Sequence, residues 1–350
     1  MEYRTLGTTG VKVSRLALGT MMLGAIGNSD HDEAARIIHR ALDAGVNLVD
    51  TADMYSGGES EEIVGKALRG RRDNVVLATK ANHPMGSDVN QRGNSRRWLM
   101  TAVEDSLRRL GTDWIDLYQV HRPDPDTRID ETLAALDDLI RSGKVRYIGT
   151  STFPAHQLVE AQWAAEHRRT NRFVTEQPPY SLFSRTVEAE VLPTALRYRL
   201  GVITWSPLAG GWLTGRWRVG HEPPRSHRAD LRPGRFDLST PENQAKLAAA
   251  DALGRLAEEH GMTLVHLALA FATAHPAATS CLVGPRTIEQ LETQLGAAEL
   301  QLSDEVLDRV DEIVAPGTAL INDALWTPPE LADPNARRRR PPRGRCPSPT

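Results

Sequence analysis

Cysteine is almost absent from the 350-residue chain: Cys281 sits inside an apolar run and Cys346 near the end, which gives neither a disulfide framework nor a metal-ligand spacing. No segment approaches the roughly 18 uninterrupted apolar residues that a membrane-spanning helix needs. The opening residues, MEYRTLGTTG, have no apolar core behind their charges and do not read as an export leader. A chain that is not exported, not inserted in a membrane and at work in a reducing cytoplasm is expected. A positive balance is lacking in the body as well. The formal net charge of −3 already includes Arg337 to Arg340, Arg343 and Arg345, so the remainder is markedly acidic and ill suited to general nucleic-acid binding. Nor does a G-x-G-x-x-G follow the first strand-like run. The Gly57-Gly58 pair comes after the second without the required spacing, which counts against an open doubly wound sheet.

What is present is alternation. Hydrophobic content of 40% and charged content of 25% suit a substantial core. Tyr3-Arg4-Thr5 and Val11-Lys12-Val13 flank a Gly7 to Gly10 turn, a hairpin placed to plug one end of a barrel. Strand-like runs follow at 16–20, 46–50, 75–80, 115–121, 145–151, 173–177, 202–206 and 280–284. Between and after them lie helical patterns at 30–44, 60–68, 95–110, 129–142, 155–167, 187–198, 241–274 and 287–298. Parallel strands with right-handed crossovers, eight in number, predict an α/β fold, the closed eight-stranded (β/α)8 TIM barrel. An extra helix over 303–314 and an arm complete a single unit spanning residues 1–335. Residues 336–350, rich in Arg and Pro, read as a disordered tail.

In such a barrel the reactive side chains stand where strands end. The second run ends in Asp50 with Tyr55 in its loop, the third in Lys80 and the fourth in His121. Each alone has an ordinary structural reading: a cap, a snorkelling lysine, a satisfied histidine. Together they form a proton-donor device. A phenol with a free pKa of about 10 becomes a useful acid near neutrality when a cation stabilises its phenolate, and Lys80 can be that cation. Asp50 would keep the buried lysine charged, and His121 would hydrogen-bond a substrate oxygen on which charge develops.

The order, spacing and flanks of these residues (GVNLVDTADMY, VVLATK, DLYQVHRPD) resemble the aldo-keto reductase superfamily, over roughly residues 3–330. The resemblance implies a barrel that reduces carbonyls with a nicotinamide cofactor, here NADPH, through Asp50, Tyr55, Lys80 and His121, with Tyr55 as proton donor. It implies a cofactor site made by Gly19, Thr20, Asp50, Ser151, Gln177, Trp205, Ser206, Pro207, Leu208, Gly210, Leu213, Gly215, Arg216, Gly284, Arg286, Gln290 and Gln294, with no metal. Ser151 and Gln177 match the nicotinamide-amide grip, and Trp205 the stacking aromatic. The run from Gly210 to Arg216 resembles the pyrophosphate loop, and Gly284 and Arg286 the site of the adenosine 2'-phosphate. Thr152 and Gln294 both stand where Asn is usual.

Substrate choice falls to loops. The segment 81–97 with His83, Pro84 and Met85, together with Met21, Met22, Met54 and Trp326, makes an adaptable apolar wall suited to a range of small carbonyl substrates. Two other readings follow from the resemblance. One is a keto or enoyl reductase of nucleotide-linked deoxysugars. The other, from HRPDPDTRIDET, is a cofactor-sensing partner akin to potassium-channel beta subunits, against which the lack of an extended arm before residue 3 counts. A homo-oligomer is compatible with all of them.

Overall fold

The computed structural model describes residues 1–321. Trp326, the end of the arm and the Arg-rich tail lie outside the described residues. Strands β1 (Tyr3–Thr5) and β2 (Lys12–Ser14) form the antiparallel hairpin, with Arg4 opposite Val13. Eight parallel strands then close a barrel: β3 (Leu16–Gly19), β4 (Leu48–Asp50), β5 (Val76–Ala81), β6 (Ile115–Val120), β7 (Val145–Ser151), β8 (Thr175–Gln177), β9 (Gly201–Thr204) and β10 (Ala278–Val283), with β10 pairing β3.

The period of two along a strand sorts its side chains between two cores. Ala17, Leu48, Ala78, Leu117, Ile203 and Leu282 point inward and pack with Leu6 and Val13 of the hairpin, which closes the lower end as expected. A Cβ on Gly7, at φ +57°, would lie 2.3 Å from the Val174 carbonyl oxygen, so only glycine lets the hairpin turn press against that end. Leu16, Leu18, Val49, Leu77, Tyr118, Val120, Ile148, Val202, Cys281 and Val283 point outward and meet the helices. The same parity places the next inward residue, two positions on, at the upper mouth. Gly19, Asp50, Lys80, Gln119, Ser151, Gln177, Trp205 and Gly284 are those residues.

The helices form where their apolar spacing and caps agree. In α1 (His31–Asp43), Ala34, Ile37, Ile38 and Ala41 are buried on one stripe, and Asp30 accepts from the amides of Asp32 and Glu33. Then come α2 (Glu59–Ala67), α3 (Arg96–Leu110), α4 (Ile129–Arg141) and α5 (Ala155–Arg168). Two expected helices differ. The 187–198 pattern begins as a 3-10 turn, and α6 covers only Val191–Tyr198. The 241–274 pattern divides into α8 (Pro241–Glu259) and α9 (Leu264–Ala274), because Gly261 takes φ +68° and Thr263 caps afresh. A short α7 (His227–Leu231) lies between β9 and α8. After α10 (Ile288–Leu295), α11 (Asp304–Ile313) packs on α8. The chain following α11 is pinned to the loop after β8, where Arg185 bonds the Val314 carbonyl at 2.5 Å and pairs with Asp311 at 2.8 Å. The extra helix is thus held by α8 on one side and by the loop after β8 on the other. Among the described residues no helix is long and apolar enough to cross a membrane.

Candidate active site

The four acid–base residues meet at the mouth. Lys80, on β5 and fully buried, donates from Nζ to Asp50 Oδ1 at 2.5 Å and to the Thr51 carbonyl at 2.8 Å, and reaches the Tyr55 hydroxyl at 3.4 Å. Burial alone would strip Lys80 of its charge, but Asp50 and Tyr55 reverse this and hold its pKa above the ordinary lysine range. Asp50 is held from three sides: besides Lys80, the amides of Gln119 and Gln177 donate to its Oδ2 at 3.0 and 2.9 Å. Room for Gln119 comes from Gly149 on the adjacent strand, where an added Cβ would stand 3.3 Å from the Gln119 Cγ and 2.0 Å from Thr175 Oγ1.

Tyr55 follows β4 in a tight turn, with its amide donating to the Ala52 carbonyl at 3.2 Å and Ser56 at φ +50°. Its phenol sits above its ordinary pKa, because burial outweighs the opposing pull of Lys80. The expectation of a phenol lowered by Lys80 therefore holds for the cation's sign and not for the net shift. The His121 ring lies edge-on to Tyr55 with centroids 5.8 Å apart, and to His83 at 4.7 Å. Burial, then the Lys80 and Arg122 charges, push His121 well below the usual histidine value, so its ring is neutral, and its buried Nδ1 has no partner among the described residues. His83 is pushed down to about 4, mainly by burial.

The expected cofactor residues surround this cluster unevenly. Ser151 Oγ donates to the Gln177 carbonyl at 2.9 Å, and Trp205 Nε1 to the same oxygen at 3.1 Å. Gln177 thus presents its backbone to its neighbours and turns its amide inward to Asp50. Thr20 is fully buried and ties the ends of β3 and β4, its amide donating to the Asp50 carbonyl at 2.9 Å. Ser206, at φ +61°, and Pro207 open the loop after β9. The Leu208 carbonyl then accepts from the amides of Gly211 and Leu213. Leu213 is fully buried, its side chain in the core. Gly210 and Gly211 have φ of +67° and +114°, with nothing within 4 Å of where a Cβ would stand, and Gly215 has φ +79°. Arg216 folds back onto its own loop, donating to Thr214 Oγ1 at 3.3 Å and the Arg225 carbonyl at 3.1 Å.

Beyond β10, Gly284 lies near Gly19 across the strand pair, and Arg286 precedes the Thr287 cap of α10. The Gln290 side chain accepts from the Arg286 amide at 2.9 Å, so its oxygen is spent on the helix start. Gln294 is buried and its Oε1 has no partner among the described residues. Asn28 donates to the Arg286 carbonyl at 2.7 Å, and His227 meets the Ile26 carbonyl at 2.7 Å, so the loop after β3 is strapped to both sides of the mouth. Met22 is buried there, its sulfur accepting from Arg228.

Sequence reasoning missed Gln119, which the parity of Leu117, Gln119 and His121 along IDLYQVH could have found. It missed Asp53 as well. Both Asp53 carboxylate oxygens are buried without a partner among the described residues, and burial beside the Glu61 carboxylate raises its pKa to about 8. Glu61 itself is satisfied by Thr79 Oγ1 at 2.6 Å and Arg109 Nε at 2.7 Å.

Comparison with known proteins adds to this geometry. Residues 15–315 match the model of the aldo/keto reductase family. The chain is 43% identical to an uncharacterized oxidoreductase, YrpG, of Bacillus subtilis, over 89% of this chain and 96% of that protein. It is 38% identical to the aldo-keto reductase YhdN of Bacillus subtilis, over 83% and 87%. A probable voltage-gated potassium channel subunit beta of Oryza sativa is 36% identical, over 90% and 97%.

Proposed function

We propose, from the footing that this chain belongs to the aldo/keto reductase family and is an oxidoreductase, that it reduces aldehydes or ketones to alcohols with NADPH and uses Tyr55 as proton donor. The observation that carries this reading is the buried Lys80 ammonium, which touches the Asp50 carboxylate on one side and the Tyr55 hydroxyl on the other.

The residues fit a nicotinamide dinucleotide. Among the described residues the buried Gln294 side-chain oxygen has no partner and the Arg286 guanidinium is paired with no acid, and Gly210 and Gly211 leave open space beside their backbone. Arg286 beside the α10 N-terminus would hold the 2'-phosphate, the loop from Ser206 to Arg216 the pyrophosphate, and Trp205 and Ser151 the nicotinamide. When bound, the reduced nicotinamide supplies the hydride.

The chain's own residues do the rest. Neutral His121 offers a ring N–H to the carbonyl oxygen and so orients it and favours negative charge there. Tyr55, whose raised pKa keeps it protonated through neutrality, gives its proton to that oxygen. Lys80 stabilises the phenolate left behind. Asp50, fixed by Gln119 and Gln177, keeps Lys80 charged in a site that would otherwise neutralise it. A panel of aromatic and aliphatic aldehydes and ketones, followed by loss of reduced-nicotinamide absorbance with NADPH and with NADH, tests the reading. Turnover of at least one carbonyl class with a preference for NADPH is expected, and no turnover of any would sink it.

A further inference from the structure

Directly after His121, at the end of β6, stands Arg122, a half-buried cation whose charge acts on His121 and Tyr55 but whose guanidinium donates to neither side chain. Its backbone is clamped: the side-chain amides of Asn82 and Asn94 donate to its carbonyl at 3.3 and 3.0 Å. Its side chain is aimed with equal care. Nη1 donates to the His121 carbonyl at 2.8 Å and to Thr152 Oγ1 at 2.9 Å, and the guanidinium carbon lies 5.8 Å from the centre of the Trp205 ring. Thr152 presents that hydroxyl from φ +61°, a left-handed conformation that a β-branched residue rarely takes, held by its amide bonding the Gln177 carbonyl at 3.2 Å.

No carboxylate among the described residues balances this charge. Among the described residues Arg122 makes no ion pair, and its Nε and Nη2 make no hydrogen bond there although neither is sealed from solvent. Tyr55 and then Glu176 act on it electrostatically, but neither bonds it, and the Glu176 oxygens are taken by Thr150 Oγ1 at 2.5 Å and the Phe153 amide at 3.1 Å. Burial accordingly pulls the Arg122 pKa below the ordinary arginine value. An enclosed guanidinium with one edge fixed by neutral acceptors and the other edge free offers two parallel N–H donors, which is the geometry that pairs with a carboxylate.

We propose that Arg122 is a specificity residue that grips the carboxylate of an anionic carbonyl substrate through its Nε–Nη2 edge, so that carboxylate-bearing aldehydes or ketones are preferred over their neutral counterparts. The inference rests on the carbonyl-reductase reading of the same site and names its substrate class. The anchoring of Nη1 by the His121 carbonyl and by Thr152, beside Ser151, keeps the guanidinium at the corner of the mouth shared by His121 and Trp205. Phosphates of the cofactor would be held elsewhere, at the ends of β9 and β10.

The test compares the ortho, meta and para carboxybenzaldehydes with their methyl esters, at saturating NADPH, in wild type, Arg122→Met and Arg122→Lys. For at least one isomer the wild-type kcat/KM ratio of acid to ester should be about tenfold or more, as expected for a charge-assisted pair. Arg122→Met should collapse that ratio and Arg122→Lys should restore part of it. A ratio near one in wild type for all three isomers, or a ratio that survives in Arg122→Met, overturns the inference while leaving the reductase reading intact. Equal losses for acid and ester together with weakened NADPH binding by fluorescence titration would also overturn it, since Arg122 would then serve cofactor or fold. Wild type that reduces neither aldehyde of any pair overturns both readings.

Discussion

Around Asp50, on the β4–β6 side of the mouth, the polar groups satisfy one another: Lys80 bonds Asp50 and Thr51, and Gln119, with Gln177 reaching in from β8, completes the Asp50 carboxylate. On the β9–β10 side, among the described residues, the Arg286 guanidinium has no acid and the Gln294 oxygen has no donor, while Gly210 and Gly211 keep side chains away from the backbone. The first arrangement meets the cost of burying charge at folding, so its geometry is set before anything binds. The second leaves donors and acceptors whose complement must come from outside these elements. A preset acid–base half beside a receptive half is the division of labour expected where one side carries out proton transfer and the other holds a reagent.

The largest effect should come from breaking the first side at its tip. Tyr55→Phe deletes one oxygen and keeps the ring, so turnover should fall by about 100-fold to 10,000-fold, the range of general acid catalysis. The Asp50–Lys80 pair stays satisfied, and NADPH affinity by fluorescence titration should survive. Single-turnover reduction of an aromatic aldehyde is the measurement. Retention of most of the rate would remove Tyr55 as donor, whereas joint collapse of rate and affinity would erase the distinction between the two sides.

Breaking the second side should separate cofactors instead of rates. Arg286→Ala removes a charge-assisted contact worth about 1.5 to 3 kcal/mol, so the KM for NADPH should rise by roughly 10-fold to 150-fold. The KM for NADH, which lacks the 2'-phosphate, should hardly change. An equal rise for both would make Arg286 a residue of the α10 start, where its carbonyl and amide are already engaged by Asn28 and Gln290.

The closed side is the more legible from sequence, for a physical reason. A titratable residue at the end of an apolar strand is conspicuous, and strand parity then dictates that it faces the mouth, which is what places Asp50 and Lys80 together, with His121 just beyond. Gln119 carries no charge and sits inside a run, so only strand parity points it at the mouth and only its bond to Asp50 gives it a role. Gln177 is legible by position, but its amide turns to Asp50, because a carboxylate already desolvated draws the nearest donor. Net pKa shifts are the least legible. Local sequence names the charged neighbours of Tyr55, whereas the burial that overrides them is a property of the whole barrel. Helix breaks escape the pattern for a related reason: apolar spacing runs on through Gly261, and a single positive φ ends α8.

Asp53 is an unpaired acid on the closed side, where His121 Nδ1 also lacks a partner among the described residues, and it gives the smallest and most discriminating prediction. Its amide donates to the Lys80 carbonyl at 3.1 Å, which fixes the loop, but its carboxylate is buried beside Glu61 with no partner among the described residues, and its pKa is raised to about 8. An unfolded Asp titrates at about 3.9. Between those values the native chain keeps a proton that the unfolded chain has released, so folding stability declines as pH rises through this window, opposite to the usual behaviour of a paired carboxylate. Glu176, raised to about 7 chiefly by burial, acts in the same direction and is common to both variants. Asp53→Asn abolishes only the Asp53 titration. Equilibrium urea unfolding at pH 5 and pH 8 should therefore show the stability difference moving in favour of Asp53→Asn at the higher pH, by about 1 to 2 kcal/mol once local relaxation is allowed for. A difference that stays constant between the two pH values would mean that Asp53 is ionised in the fold, with Arg109 or solvent compensating it, and the closed side would then have no unpaired acid.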